Sequence, residues 1–314
     1  MNRLALLVLK LQSRAARAAY LRRERRLARQ ASESRALDIL FSRREPWEKP
    51  IREGFRGLAH RLTFADIAAS DLERFDLIVP LSLDDIGHLR AQATHLQARV
   101  VPLPGAACSA LCHDKPRLNQ QLIDAGFAAH VPAMGLDVPP PYFCKPALGE
   151  NSDDCLLVAD RAAELRMGQA LKRPDLFRQA AVPGHVEYAT HFLVCDGALA
   201  RELTVRYHHE TAMFIKGAAQ AGLQARTLGA CPDLTTLRRM LAAIGYDGLG
   251  CANYKMERGV LKLLEINPRM GGSLCDYFFS FLRSMPTLQR GARRGRANRS
   301  GIHSAAVRPS VGGG

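Results

Sequence analysis

Residues 264–273 read LEINPRMGGS. Upstream of them, Val260 to Ile266 is a short apolar-rich run, and Glu257-Arg258-Gly259 joins it to a second run, Gly250 to Met256. Two such runs around a Gly-containing turn predict a β-hairpin. Glu265 and Asn267 lie two positions apart at its end, so the period-two alternation of a strand points both side chains to one face. Asn253 lies on the partner run, where the turn can bring it close to them. One carboxylate and two amide oxygens converging there suit Mg²⁺, with Mn²⁺ as an alternative, because a hard cation takes oxygen ligands and is completed by water and phosphates. Pro268 takes the chain out of the sheet. Arg269 follows one step later, with a planar fork able to hold phosphate or carboxylate. The competing reading of Glu-x-Asn alone is a surface hairpin ending in a turn.

Two lysines upstream supply the company this motif needs. Lys145 lies on the apolar run YFCKPA, residues 142–147, immediately before the polar loop GENSDD, residues 149–154. A lysine facing inward from such a strand needs an anionic partner, and a nucleotide phosphate would supply one. Lys115 begins a helix expected over residues 114–125 and stopped by Gly126, where it could reach the same phosphates beside free backbone N–H groups. Taken singly, each lysine is more often a solvated charge. Between them and the terminal motif, residues 155–170 read as a strand and a helix. Residues 186–195 and 198–207 read as a hairpin on Asp196-Gly197, and residues 233–244 as a helix capped by Asp233.

This ordered set resembles the ATP-grasp superfamily over about residues 75–280. The resemblance is carried by HDKPRLNQQLIDAGF (113–127), FCKPALGENS (143–152), FRQAAVPGHVEYATHFLVCDG (177–197) and LEINPRMGGS (264–273). It implies an α/β (α+β) fold in which a partial Rossmann-like lobe precedes two lobes that clamp ATP between their sheets. It also implies a Mg²⁺-ATP-dependent, ADP-forming ligase that joins a small carboxylate to an amine through an acylphosphate. Carried over residue by residue, Lys115 and Lys145 contact the ATP phosphates, and Gln179, Ala180, Ala181 and Val182 form the hinge whose backbone reads adenine. Glu187 lies in the nucleotide pocket, Asn253, Glu265 and Asn267 take the metal, and Arg269 steadies the transferring phosphate, so that Arg269 and Lys145 form the catalytic pair. Two features depart from the pattern. GENSDD lacks the alternating glycines usual after the lysine, and Asn253 stands where many relatives carry an acid, although a subgroup resembling carbamoyl-phosphate synthase has an amide there. These departures keep open a noncatalytic ATP-binding sensor. Arg206 and Lys216 are candidates for the substrate carboxylate and His208 and His209 for the mouth of its site, each with a solvated surface face as the alternative.

The rest of the chain sets the frame. Its 314 residues allow about two domains. The formal charge of +14 is unevenly placed: residues 1–60 hold 15 Lys/Arg against 6 Asp/Glu, residues 281–314 hold 7 against none, and the 220 residues between hold 22 against 24. A near-neutral body with basic ends argues against nucleic acid as the main partner. Residues 3–30 read as an exposed, basic amphipathic helix. The expected organisation is this helix within residues 1–34, an α/β lobe over 35–110, the ATP-grasp domain over 111–286 and a disordered basic tail over 287–314. Inside the α/β lobe, strands are expected at 37–41, 75–80 and 99–102, with a helix at 84–97. The 8 cysteines form no C-x-x-C pair and read as small core residues in a reducing, cytoplasmic compartment. Cys108, Cys112 and His113 lack an evident fourth metal ligand. No apolar run is long enough to span a bilayer, no G-x-G-x-x-G turn follows the first strand, and oligomerisation is left open.

Overall fold

The computed structural model describes residues 3–32, 36–149, 154–215, 222–286 and 288. Most of the GENSDD loop, Lys216 and nearly all of the basic tail therefore lie outside the described residues. The chain opens with a long helix, α1 (Arg3–Ser32), followed by β1 (Asp38–Ser42), α2 (Glu45–Gly54), β2 (Arg61–Ala65) and β3 (Leu77–Val79). The three strands form a parallel sheet in the order β2-β1-β3. β1 and β3 are almost wholly buried apolar runs, as strands covered on both faces must be. The strand expected at 99–102 contributes a single parallel bridge from Val100 to Ile78. The helix expected at 84–97 is two pieces, α3 (Leu83–Arg90) and α4 (Thr94–Gln97). Between them the Gln97 side chain donates to the carbonyls of Arg90 and Gln92, satisfying groups that a continuous helix would have used.

After α5 (Ala106–His113) and α6 (Lys115–Leu122) comes a small antiparallel sheet of β4 (Tyr142–Pro146), β5 (Leu156–Val158) and β6 (Leu176–Ala180), with α7 (Arg161–Met167) between the last two. Its order is β5-β4-β6. Asp114 caps α6 by accepting from the Arg117 N–H, and the helix gives way at Gly126, whose φ of 88° is the left-handed value glycine tolerates. A larger antiparallel sheet follows: β7 (Val186–Cys195), β8 (Ala198–His209), β9 (Leu223–Gly229), β10 (Gly248–Glu257) and β11 (Val260–Asn267), in the order β11-β10-β7-β8-β9. The Asp196-Gly197 turn has both residues at positive φ, 52° and 72°, as does Arg258-Gly259, at 50° and 82°. Both are the tight mirror-image turns that match strand twist. The second loop is thus two residues long, with Glu257 paired to Val260 inside the hairpin. Helix α8 (Leu234–Ala243) is capped by Asp233, which accepts from the Thr236 N–H.

The segment after β11 returns to the first lobe. Phe278, Phe279 and Phe281, the last two on the short helix α9 (Phe279–Leu282), are buried with Phe41 and Phe55 in one core. Gly54 lets this segment close, since a Cβ there would lie 2.6 Å from the Asp276 carbonyl oxygen. Helix α1 is docked along its second half: Leu21, Glu24 and Ala28 are buried, and Glu24 receives Arg201 at 2.7 Å and Arg283 at 2.6 Å. The exposed helix expected from sequence is therefore exposed chiefly along its first turns and its outer face.

Candidate active site

The small and large sheets face one another across a cleft lined by Lys115, Phe143, Lys145, Cys155, Gln179, Ala180, Val182, Glu187, Phe214, Asn253, Lys255, Leu264 and Glu265. A second recess continues from it past Lys115 and Glu265 to His113, Asn267, Pro268 and Arg269, reaching Leu83 at the start of α3. Every residue singled out from sequence for nucleotide or metal contact, apart from Ala181, lines one of these two spaces.

On the large sheet, β10 and β11 run antiparallel with Asn253 opposite Glu265 and Cys251 opposite Asn267. A bulge interrupts this pairing between Asn253 and Tyr254, so Leu263 pairs with Tyr254 while Leu264 is left over. Leu264 and Glu265 consequently both face the cleft, although they are neighbours in sequence. Such bulges re-aim side chains by adding one residue to one strand. Glu265 Oε1 accepts from Asn253 Nδ2 at 2.7 Å and from Asn267 Nδ2 at 3.0 Å. The carboxylate and both amides form one contiguous group, as the alternation of the strand requires. Asn253 Oδ1 also accepts from the Cys251 thiol at 3.6 Å.

On the small sheet, Lys145 donates to Gln179 Oε1 at 2.6 Å across the β4–β6 pair. Burial pushes the lysine pKa below its ordinary value; Glu265, Cys155 and Glu187 pull it back up, and Lys115 adds to the depression. Lys145 thus feels charges from both walls. Burial likewise raises the pKa of Cys155, with Lys145 opposing. Lys115 is buried, its ammonium donating to the carbonyls of Gly149 at 2.9 Å and Pro146 at 3.4 Å, which ties the start of α6 to the loop after β4. Asp154, the described acid at the end of that loop, has Arg173 at 3.5 Å.

Gln179 and Ala180 end β6, and Ala181 and Val182 follow it. The Ala180 N–H donates to Ala133 and the Ala181 N–H to Pro141, while Val182 offers its carbonyl to Lys255 at 3.1 Å. Lys255 is a site residue that the sequence reading missed. It is 3% exposed, pairs in register with Glu187, donates also to the Ala212 carbonyl at 3.0 Å, and lies 4.0 Å from the centre of the Phe214 ring. Burial lowers its pKa to about 8, with Glu187 opposing and Lys145 reinforcing the shift. Trp47 was missed as well. Its ring carries Arg44 at 4.1 Å and Arg269 at 5.8 Å, which joins the first lobe to the end of the LEINPR motif.

Arg206 and His208 do not reach the cleft. Tyr207 is the residue that pairs with Glu187, so Arg206 faces the other side of the sheet, over the Tyr188 ring and bonded to the Ala230 carbonyl. His208 bonds Thr227 on the neighbouring strand. His209 is buried, stacked on the cleft-lining Phe214 at 3.5 Å. Cys108 and Cys112 lie on α5 and interact with each other, which lowers the pKa of the first thiol and raises that of the second.

An α/β lobe is thus followed by a small and a large antiparallel sheet that enclose a cleft. No protein-family model and no curated protein matches this chain in sequence. Solved structures do match in fold. D-alanine–D-alanine ligase from Bacillus anthracis, crystallised with ATP, aligns with a TM-score of 0.53 at 12% identity over 84% of this chain and 100% of its own. L-amino acid ligase from Bacillus licheniformis aligns at 0.52 and 15% identity, over 79% and 71%. N5-carboxyaminoimidazole synthase from Aspergillus clavatus, in complex with ADP and 5-aminoimidazole ribonucleotide, aligns at 0.51 and 12% identity, over 76% and 71%. The chain has the ATP-grasp fold.

Proposed function

We propose that the protein is a Mg²⁺-ATP-dependent ligase, ADP-forming, that joins a small carboxylate to an amine through an acylphosphate. The observation that carries this reading is the pairing of two chemically opposite walls in one cleft: lysines 115 and 145 on one side, and the Asn253–Glu265–Asn267 group on the other. The solved structures of like fold, two named as amino-acid ligases and one of these crystallised with ATP, support it.

The cleft residues fit a bound nucleotide and cation. Gln179 Nε2 is buried without a hydrogen-bond partner among the described residues while its Oε1 holds Lys145. A buried donor of this kind is costly unless a ligand supplies an acceptor. Asn253, Glu265 and Asn267 provide only oxygen donors and amides able to turn their oxygens inward, the ligand chemistry of Mg²⁺. These three residues would hold the ion, which when bound neutralises charge on the phosphates. Lys115 and Lys145 neutralise and position phosphate oxygens, and Arg269 orients the transferring group with its planar guanidinium. The substrate carboxylate attacks the γ-phosphorus, ADP departs, and the amine then displaces phosphate from the acylphosphate. No side-chain nucleophile is needed, and positioning with charge neutralisation supplies the rate.

A second reading, nucleotide binding without turnover, is favoured by the glycine-poor GENSDD loop and by Asn253, which leaves Glu265 the sole full charge in the proposed metal set. ADP release measured against pooled carboxylates and amino acids, with and without Mg²⁺, separates the two. Mg²⁺-dependent release that needs both an acid and an amine is expected. ATP binding by calorimetry with no release from any pool would overturn the ligase in favour of the sensor.

A further inference from the structure

Helix α1 carries a face that nothing in the cleft explains. Leu4, Leu7, Val8 and Leu11 stand at i, i+3, i+4 and i+7 and are 70, 55, 43 and 55% exposed. Eighteen residues make five turns of an α-helix. Arg22, Arg25, Arg26 and Arg29 therefore lie on the same face, about 27 Å further along it, where they line a shallow groove with Gln30. One helix face is thus apolar over its first turns and cationic over its last ones. The opposite face holds the helix to the body: Tyr20 meets Ser280 at 3.1 Å and Tyr277 edge-on at 5.6 Å, Arg17 pairs with Asp276 at 2.8 Å, and Glu24 is buried between Arg201 and Arg283. Residues 3–32 hold nine Lys/Arg and one acid, Glu24. The only carboxylate on the helix is consumed in docking, and the outer face carries none.

We propose that this outer face of α1 docks on an anionic lipid bilayer surface. The leucines and Val8 enter the boundary between headgroups and acyl chains, where an interfacial helix buries its apolar side. Arg22 and Arg26, both exposed, reach lipid phosphates with bidentate guanidinium contacts, their aliphatic stems crossing the apolar layer. Arg25 and Arg29 are partly engaged by carbonyls of Gly54 and Gly57 and set the height of the helix above the body. Charge complementarity selects this occupant. A second copy packed through this face would bring arginines toward arginines when parallel and onto leucines when antiparallel, with no acid on either face. A nucleic acid would use the arginines and leave the leucines in water. The helix rests on the surface, since no helix among the described residues is long and apolar enough to cross a membrane.

The test is co-sedimentation of the full chain with vesicles of phosphatidylcholine alone and of phosphatidylcholine with phosphatidylglycerol. Binding is expected to the anionic vesicles and to weaken with salt. Arg22→Gln with Arg26→Gln should weaken it by roughly fivefold per residue. Leu7→Ser with Leu11→Ser should weaken it by roughly tenfold or more. All four side chains point outward, so thermal melts should match the wild type. Wild-type protein that ignores anionic vesicles overturns the proposal, as does unchanged vesicle binding by the leucine variant. A dimer in sedimentation that the leucine variant dissolves would assign the face to a second copy. Duplex DNA binding that survives the leucine changes while vesicle binding is absent would assign it to nucleic acid.

Discussion

The two walls of the cleft differ in charge and in how firmly they are built. The large-sheet wall places Glu187, Asn253 and Glu265 on strands whose other face packs Phe192, Tyr254, Leu261, Leu263 and Ile266 into a broad core, with Tyr188 stacked on Tyr254 at 5.2 Å. Its carboxylate is held by two amide donors before any ligand arrives. The small-sheet wall places Lys145 and Gln179 on three short strands over a core of Val138, Tyr142, Cys144, Val158 and Ala163. Fewer buried apolar contacts mean a lower cost of local opening. Under the proposed function, the firmly built wall would hold the metal, and the more loosely built lysine wall would close on phosphate.

That contrast predicts unequal effects from disarming each wall. Glu265→Gln removes the one full charge from the Asn253–Glu265–Asn267 group of the fixed wall while keeping its shape, and turnover should fall by about a hundred- to a thousandfold, the usual cost of losing a preorganised electrostatic group. Thermal melts should stay near wild type, because Gln retains an acceptor for the two asparagines. A folded variant with wild-type ADP release would remove the metal assignment. On the other wall, Lys145→Ala should weaken ATP binding by about ten- to a hundredfold, the range of a charge-assisted hydrogen bond lost from a partly desolvated site. Calorimetry with ATP measures it, and unchanged affinity would show that Lys145 faces no phosphate.

Lys255 tests how tightly the large wall closes around a buried charge held by the Val182 and Ala212 carbonyls. The lysine is protonated at neutral pH in both folded and unfolded chains, and its desolvation cost is then fully present. As pH rises from about 8, the folded-state value, toward the ordinary value near 10.4, the folded protein releases a proton that the unfolded chain still holds. Stability must rise over that window. Wild type should therefore gain about 1–3 kcal/mol relative to Lys255→Met between pH 8 and 10, at about 1.4 kcal/mol per unit of pKa difference. Paired denaturant titrations across that range measure the difference, in which the other titrating cysteines and tyrosines cancel. A constant gap would mean that Lys255 is not desolvated.

Much of this site was legible because its residues sit where a strand's alternation leaves no choice. Glu265 and Asn267 had to share a face, and Lys145, alone in an apolar run, had to find a partner. What escaped was whatever depended on context beyond the strand. Lys255 stands two residues from a tight turn and reads as a solvated charge until the Val182 and Ala212 carbonyls are seen to enclose it. Helix α2 was hidden by Pro46 and Pro50, although the first sits in the opening turn, where proline is tolerated. Strands β2 and β9 carry few buried side chains, so no apolar pattern marks them.

Arg206 isolates the smallest expected effect and the cause of its misassignment. The Asp196-Gly197 turn pairs Cys195 with Ala198 and Val194 with Leu199, and continuing that register would set Glu187 opposite Arg206, inside the cleft. A bulge between Leu193 and Val194 shifts the pairing by one residue, so that Leu193 meets Arg201 and Glu187 meets Tyr207. One inserted residue turns every later side chain of β8 to the other face. Arg206 accordingly lies against Gly229 and the Tyr188 ring, with its guanidinium on the Ala230 carbonyl. Arg206→Ala should then leave ATP affinity and the KM for the carboxylate substrate unchanged, and lower stability by about 1 kcal/mol through one hydrogen bond and some packing. Steady-state kinetics beside a denaturant melt separate the two readouts. A raised KM with unchanged stability would mean that the arginine works across the sheet, and the division of the large sheet into a chemical face and a structural face would fail.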